Sequence, residues 1–268
     1  MLRRLTTLAL LALLPLASSA TTFKIASLAP DGTSWMKEMR AGAEAIKKRT
    51  EGRVAFRFYP GRIMGNDKSV LRKMRVGQLH GGALSGGGLA MIYPEVQVYT
   101  IPFIFHDYEE VDYARQQMDP VLLAGLKEKG YISFGISEGG FAYLMSNTPV
   151  GGVDDLKGHK VWVPEGDAIS RTAFEASGIS PVSLPLTDVL TGLQTGLIDT
   201  IASTSMGAIA LQWHTRVKHL THSPLMYIYG GLVVSAKQFN KLSEGDQQIV
   251  SEVMSGVSDR LDHLNRKD

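Results

Sequence analysis

Apolar and polar residues alternate along Thr22-Phe23-Lys24-Ile25-Ala26-Ser27-Leu28 and then meet Ala29-Pro30-Asp31-Gly32-Thr33-Ser34, a pattern that predicts a strand, a turn and a capped helix start. From Trp35 to Arg49 the apolar positions Trp35, Met39, Ala43 and Ile46 recur at three- and four-residue steps among Lys, Glu and Arg, which predicts an amphipathic helix ended by Thr50-Glu51-Gly52. Val54 to Tyr59 reads as a second strand, closed by Pro60-Gly61, and Asn66 to Val76 as a second helix. Further units follow: strands at 131–136, 160–163, 181–183 and 197–203, helices at 168–177 and 187–195, an apolar β-rich run at 225–234, and one amphipathic helix from Ser243 to Lys267. Strands alternating with helices argue an α/β protein with helices covering its sheets. No tandem repeat, charge block or low-complexity linker interrupts the pattern, so two interleaved α/β domains fit better than domains in tandem.

The first twenty residues have a different character. Arg3 and Arg4 precede the apolar run Leu8 to Leu16, and Ala17-Ser18-Ser19-Ala20 ends it with small residues. This is the pattern of a cleavable secretory signal, with cleavage expected after Ala20. The alternative, a retained membrane anchor, would need about 20 apolar residues, and this run is shorter and broken by Pro15. The mature chain is therefore expected in the periplasm and not embedded in a membrane. The absence of cysteine removes a lipid-anchored N-terminal Cys, disulfides, thiolate metal sites and a Cys nucleophile together.

Loss of Arg3 and Arg4 with the signal leaves 26 Lys and Arg against 26 Asp and Glu, a formal net charge of zero. Such a balance gives no reason to expect nucleic acid as a partner. The roughly 250 residues that remain suffice for one large or two smaller domains with real cores.

Three constellations carry possible chemistry. Gly135-Ile136-Ser137-Glu138-Gly139 matches the G-x-S-x-G elbow of serine hydrolases, but the elbow needs a helix directly after the serine, and residues 139–145 read as another extended run. His214, His219 and His222 would place two metal ligands on one face only if 219 and 222 were helical, which Thr221, Ser223 and Pro224 argue against. Ser85-Gly86-Gly87-Gly88 lacks the Lys-Ser/Thr of a phosphate loop and reads as a ligand-lining turn. Neither catalysis nor a metal or cofactor is expected.

Six segments together are similar to a known family. They are Thr50-Glu51-Gly52-Arg53-Val54 leading to Tyr59-Pro60-Gly61-Arg62-Ile63-Met64-Gly65; Val76-Gly77-Gln78-Leu79; Ile101-Pro102-Phe103-Ile104-Phe105; Asp154 to Val161; Pro185 to Asp199; and Phe239-Asn240-Lys241-Leu242-Ser243. In this order the chain resembles the solute receptors of tripartite ATP-independent periplasmic (TRAP) transporters, the DctP-like family, over essentially its whole mature length. The resemblance implies a two-lobed, type II-like periplasmic-binding fold, each lobe a mixed sheet flanked by helices, whose lobes close on one small ligand and deliver it to TRAP membrane permease subunits. It divides the chain into residues 1–20 as signal, 21–143 plus about 231–250 as the first lobe, 144–230 as the second, and 251–268 as a C-terminal helix. Relatives generally continue past such a helix, so the chain is expected to end early for the family.

Members of the family usually bind organic acids through an arginine in a K-I-R-V-P segment and a second arginine nearby. Here the segment is Lys160-Val161-Trp162-Val163-Pro164, and Ala142 stands at the second position. A carboxylate without a donor fork is costly to bury, so a neutral, aromatic or lipid-like ligand is expected, held against Trp162, Phe141 and Tyr143. Trp162 as a core residue plugging the arginine's space, or Arg171 restoring acid binding, are the alternatives. Leu28, Trp35, Ser85, Gly86, Ser203, Ser205 and Tyr227 are further cleft candidates, placed by their positions at strand ends and loops. A Ser137 hydrolase and a sensor that contacts another protein remain rival functions.

Overall fold

The computed structural model describes residues 20–266. The expected secretory signal falls on residues that, but for position 20, lie outside that span. β1 (Thr21–Ser27) pairs in parallel with β2 (Val54–Tyr59), starting from Thr21 opposite Val54, and with β3 (Gly81–Ser85) on its other side. Between them run α1 (Ser34–Arg49) and α2 (Asp67–Arg75). Thr33 caps α1 by accepting from the Met36 N–H, and Lys47, Lys48 and Arg49 in its last turn complement the helix dipole.

After β3 come the five-residue α3 (Gly86–Ala90), a 3-10 segment Pro94–Thr100, and α4 (Tyr108–Glu128). Strand β4 (Tyr131–Ser133) and the ten-residue β5 (Ser137–Ser146) follow. The second lobe holds β6 (Trp162–Pro164), α5 (Ala168–Ala176), β7 (Val182–Leu184), α6 (Val189–Thr195), β8 (Thr200–Ser203) and α7 (Ser205–Ala210). The 17-residue β9 (His219–Ser235) returns to the first lobe, where α8 (Ala236–Phe239) and α9 (Glu244–Asn265) end the described chain.

The large sheet runs β2-β1-β3-β9-β5-β8 with β4 also on β9, and it mixes parallel pairs with the antiparallel pairs of β9. β6 and β7 pair in parallel, and a Val161–Thr200 bridge joins them to β8. The fold is thus the expected two-lobed α/β architecture with mixed sheets.

The period-2 alternation of strands builds two core layers in each lobe. In the first lobe Phe23, Ile25, Leu232 and Val234 face α1 and α9, while Ala26, Leu84 and Val233 face the layer that holds α2, α3 and α4 residues. In the second lobe Met145, Trp162 and Ile201 lie on one side with Val189 and Leu193 of α6, and Leu144, Val161 and Val163 lie on the other with Phe174 of α5.

β5 and β9 cross between the lobes side by side. Their pairing slips at Glu138/Gly140, Ala142/Tyr143 and Tyr143/Met145, and Gly140 has φ +94°, a left-handed value that glycine adopts without strain. The boundaries expected near 143 and 230 lie within the continuous strands β5 and β9.

Candidate functional site

The lobes meet at a cavity lined by Leu28, Asn66, Asp67, Ser85 and Met91 from one side and Pro164, Glu165, Pro185 and Leu186 from the other. It encloses about 10 Å³, space for roughly one water molecule. The first lobe's contribution comes from the ends of β1 and β3 and the start of α2, the second lobe's from the ends of β6 and β7.

Around the cavity the lobes touch directly. Arg62 Nη1 donates to the Thr187 carbonyl at 2.9 Å, the Ala168 N–H donates to Gln97 Oε1 at 2.8 Å, and Lys68 Nζ lies 3.6 Å from Glu165 Oε1. Glycines make the approach possible: a Cβ on Gly87 would lie 2.8 Å from the Glu165 carbonyl oxygen, and one on Gly166 would lie 2.9 Å from the Gly87 carbonyl oxygen.

Asp67 is the unusual group of the cavity wall. It is the first residue of α2, behind the Asn66 cap, and is 8 % exposed. Ser85 Oγ donates to Asp67 Oδ2 at 2.5 Å and accepts from the Gly88 N–H at 3.2 Å. Gly88 must be glycine here, because a Cβ would fall 2.6 Å from the Asp67 carboxyl carbon. Asp67 Oδ1 is buried with no hydrogen-bond partner among the described residues. Burial, with the nearby Glu165 charge adding to it, pushes the Asp67 carboxyl up to about 6, against the lowering effect of Ser85. An acid so placed makes the Ser85–Gly88 turn unsuited to phosphate.

The sequence-derived candidates divide. Leu28 and Ser85 line the cavity, and Gly86 packs beside it, its Cβ position 3.1 Å from the Tyr229 ring. Phe141 and Tyr227 belong to an aromatic cluster where β5 and β9 cross: Phe141 lies 5.1 Å from Tyr108 and 5.9 Å from Tyr227, and Tyr99 lies 5.7 Å from Tyr229. The Tyr227 and Tyr229 hydroxyls are buried without a partner among the described residues. Tyr143 is half-buried, stacked on His222 at 6.2 Å and opposite Ser203 in the β5–β8 pair. Ser203 is buried and donates to the Thr204 carbonyl, and Ser205 is exposed at the start of α7.

Two tryptophans lie elsewhere. Trp35 packs on the α9 side of the large sheet, away from the cavity-lining residues. Trp162 is 4 % exposed in the second lobe's core, with its ring 5.4 Å from Trp213 and its N–H donated to the Leu184 carbonyl at 2.9 Å. Its indole belongs to the core cluster of Met145, Val189, Leu193 and Trp213, and its one donor is taken by backbone. Arg171 is exposed on α5.

Asn66, Asp67, Met91, Pro164, Glu165, Pro185 and Leu186 were not among the sequence candidates. Asn66-Asp67 reads from sequence as a helix cap with an acidic first turn, which conceals its second role in the cleft. Glu165 directly follows the Val163-Pro164 end of the family segment, and its position at a strand end is the signal that points to it.

Ser137 opens β5, a strand, with its Oγ 3.2 Å from Ser258 Oγ. Two buried hydroxyls sharing a hydrogen bond between β5 and α9 form a structural contact, without the strand-turn-helix of a nucleophile elbow. His219 and His222 lie on β9, and no group of three metal-ligating His, Asp or Glu side chains occurs among the described residues. No described helix is long and apolar enough to cross a membrane.

Behind the crossing, α9 is tied to β5 by charge. Arg266 donates to both oxygens of Glu138, at 3.0 Å and 2.8 Å, and to the Asp112 carboxylate, while its guanidinium lies 4.6 Å over the Tyr108 ring. The Glu138 side chain is fully buried. Arg115 adds a 3.6 Å contact to Glu138 and a 2.7 Å bond to Asp262, which in turn accepts from the Glu138 N–H at 2.7 Å.

Residues 25–268 match the family described as bacterial extracellular solute-binding protein, family 7 (DctP). Among curated proteins the chain is 23 % identical over 260 residues to the sialic acid-binding periplasmic protein SiaP of Vibrio cholerae, spanning 94 % of this chain and 80 % of that one. Among solved structures it superposes with a TM-score of 0.85 on a TRAP periplasmic solute-binding protein of Sulfurospirillum deleyianum with bound succinate, at 21 % identity over 92 % of this chain and 80 % of that one. A TRAP periplasmic solute-binding protein of Desulfovibrio salexigens with bound orotic acid gives 0.84 at 22 % identity, over 92 % of this chain and 81 % of that one.

Proposed function

Because the chain belongs to the bacterial extracellular solute-binding proteins of family 7, the DctP family of periplasmic TRAP receptors, we propose that it captures a ligand that is not an ordinary organic acid, an aromatic or lipid-like molecule, and passes it to TRAP permease subunits. Export would use the signal at residues 1–20. Capture needs no chemical step: the two lobes close about the crossing of β5 and β9, where three register slips and Gly140 allow bending.

One observation carries the ligand reading. The charged side chains lining the interlobe cavity are Asp67 and Glu165, and Trp162 and Ala142, which on the sequence resemblance stand where the family's two arginines are expected, are both buried in packing. A carboxylate entering between them would lose its hydration without gaining a guanidinium fork. Leu28, Met91 and Leu186 instead offer apolar walls.

Mass spectrometry of small molecules released by denaturing the purified mature protein, against a mock purification, tests this. The expected product is a compound without a carboxylate. Recovery of an organic acid would return the protein to ordinary acid receptors with an arginine such as Arg62 or Arg171 recruited to the cleft.

A further inference from the structure

The cavity wall poses a chemical question that the apolar reading leaves open. Asp67 is more than nine-tenths buried, one of its oxygens is engaged by Ser85, and Oδ1 has no partner among the described residues. An orphaned buried acceptor costs free energy unless something donates to it. The other charged side chain lining the cavity, Glu165, is also an acid, and it comes from the opposite lobe. Closure therefore brings two like charges toward each other across the cleft, which the Glu165 contribution to the raised Asp67 carboxyl reflects.

The cations nearby do not resolve this. Lys68 lies 3.6 Å from Glu165 but is mostly exposed at the rim, and Arg62 donates to the Thr187 carbonyl. Local construction keeps the Asp67 carboxyl in place: Ser85 donates to one oxygen, and Gly88 leaves the space the carboxyl occupies.

From this geometry we infer that the ligand carries a cationic nitrogen, an ammonium or amidinium head, that is recognised by the Asp67 and Glu165 carboxylates from the two sides of the cleft, Asp67 turning its unpartnered oxygen to it as the lobes close. The inference rests on the receptor function proposed above and narrows it: the cavity of about 10 Å³ is too small for a whole ligand, so the lobes part further to admit a body against Leu28, Met91 and Leu186 and a cationic head. Such a head would link binding to closure, because it replaces repulsion between the lobes with two attractions. Asp67 is a specificity residue in this account and Glu165 its counterpart on the second lobe.

The test is a thermal-shift screen of the mature protein against equal sets of primary amines and amidines, matched alcohols and matched carboxylates, with calcium and magnesium chloride alone as separate wells. Hits are followed by calorimetry on wild type, Asp67→Asn and Glu165→Gln. The expected result is stabilisation by amines, with affinity falling about 10- to 100-fold in Asp67→Asn, the range expected for losing a charged hydrogen bond, while circular dichroism stays native. Amine binding unchanged in Asp67→Asn overturns the inference, as does stabilisation by carboxylates, by alcohols or by the metal salts in place of amines. Failure of every class would count against the receptor function itself.

Discussion

The indole N–H of Trp162 donates to the Leu184 carbonyl at 2.9 Å, joining β6 to β7 through a side chain. The donor is satisfied within the lobe and the ring is packed on Trp213. Trp162 thus fills the core of the second lobe and offers no free donor to the cleft.

Trp162→Phe should keep the packing and lose the hydrogen bond, lowering stability by about 1 kcal/mol while leaving ligand affinity within about threefold. Trp162→Arg should be far more harmful, since the surrounding Met145, Val189, Leu193 and Trp213 offer no carboxylate. A loss on the order of 3–5 kcal/mol is expected for an unpaired buried charge. Urea melts of both variants check this; a Trp162→Arg protein as stable as wild type would show that the side chain reaches the cleft after all.

Much of the architecture is legible in the sequence because local signals agree with the fold. The 3.6-residue spacing of Trp35, Met39, Ala43 and Ile46 matches α1, and the alternation after Thr22 matches β1. Helix α4 is not legible for the opposite reason. Pro120 lies inside it, and its buried positions are few: Val111, Leu122, Gly125 and Leu126. The helix tolerates the proline because the carbonyl it frees belongs to exposed Gln116. Little of the cavity wall was legible: strand ends pointed to Leu28 and Ser85 among its nine lining residues, whereas Asp67 has the sequence pattern of a helix cap, and only the packing of Ser85 and Gly88 makes it a cleft wall.

Lobe closure should depend on Gly87. An added methyl there would meet the Glu165 carbonyl oxygen at 2.8 Å, backbone against side chain with no flexible atom to yield. Gly87→Ala should disfavour the closed form by about 1–3 kcal/mol, weakening ligand binding by roughly 5- to 150-fold. Small-angle scattering should give a larger radius of gyration than wild type. An unchanged scattering curve and affinity would mean that the lobes do not need this contact.

The clamp between α9 and β5 should matter for stability. Removing Arg266 leaves the buried Glu138 carboxylate with the longer 3.6 Å contact to Arg115. Arg266→Ala should cost about 3 kcal/mol, seen as a drop in melting temperature on the order of 6–12 °C. Glu138→Gln in the same background should recover part of it, because the uncompensated charge is then gone. If the single and double variants melt together, Glu138 is not the group that Arg266 stabilises.

Asp67 should leave a pH signature on stability. Its carboxyl is pushed up to about 6 in the folded protein, against an unfolded value near 3.9, so the folded state holds the proton more tightly. Stability associated with this group is therefore fully present below about pH 4 and is lost as pH rises through about 6, by up to about 3 kcal/mol. Asp167 and Asp262 are raised by burial and shift stability in the same direction, while Asp112 and Asp246, lowered by Arg266 and Arg53, shift it the other way. The total profile therefore hides the individual group, and the difference between wild type and Asp67→Asn isolates it. Asn cannot ionise, so the variant should gain on wild type as pH rises from 4.5 to 7.5, by about 1–3 kcal/mol across that interval. Parallel wild-type and variant profiles in chemical denaturation would show that Asp67 does not titrate in this range, and that its unpartnered oxygen has found a donor that keeps the carboxylate charged.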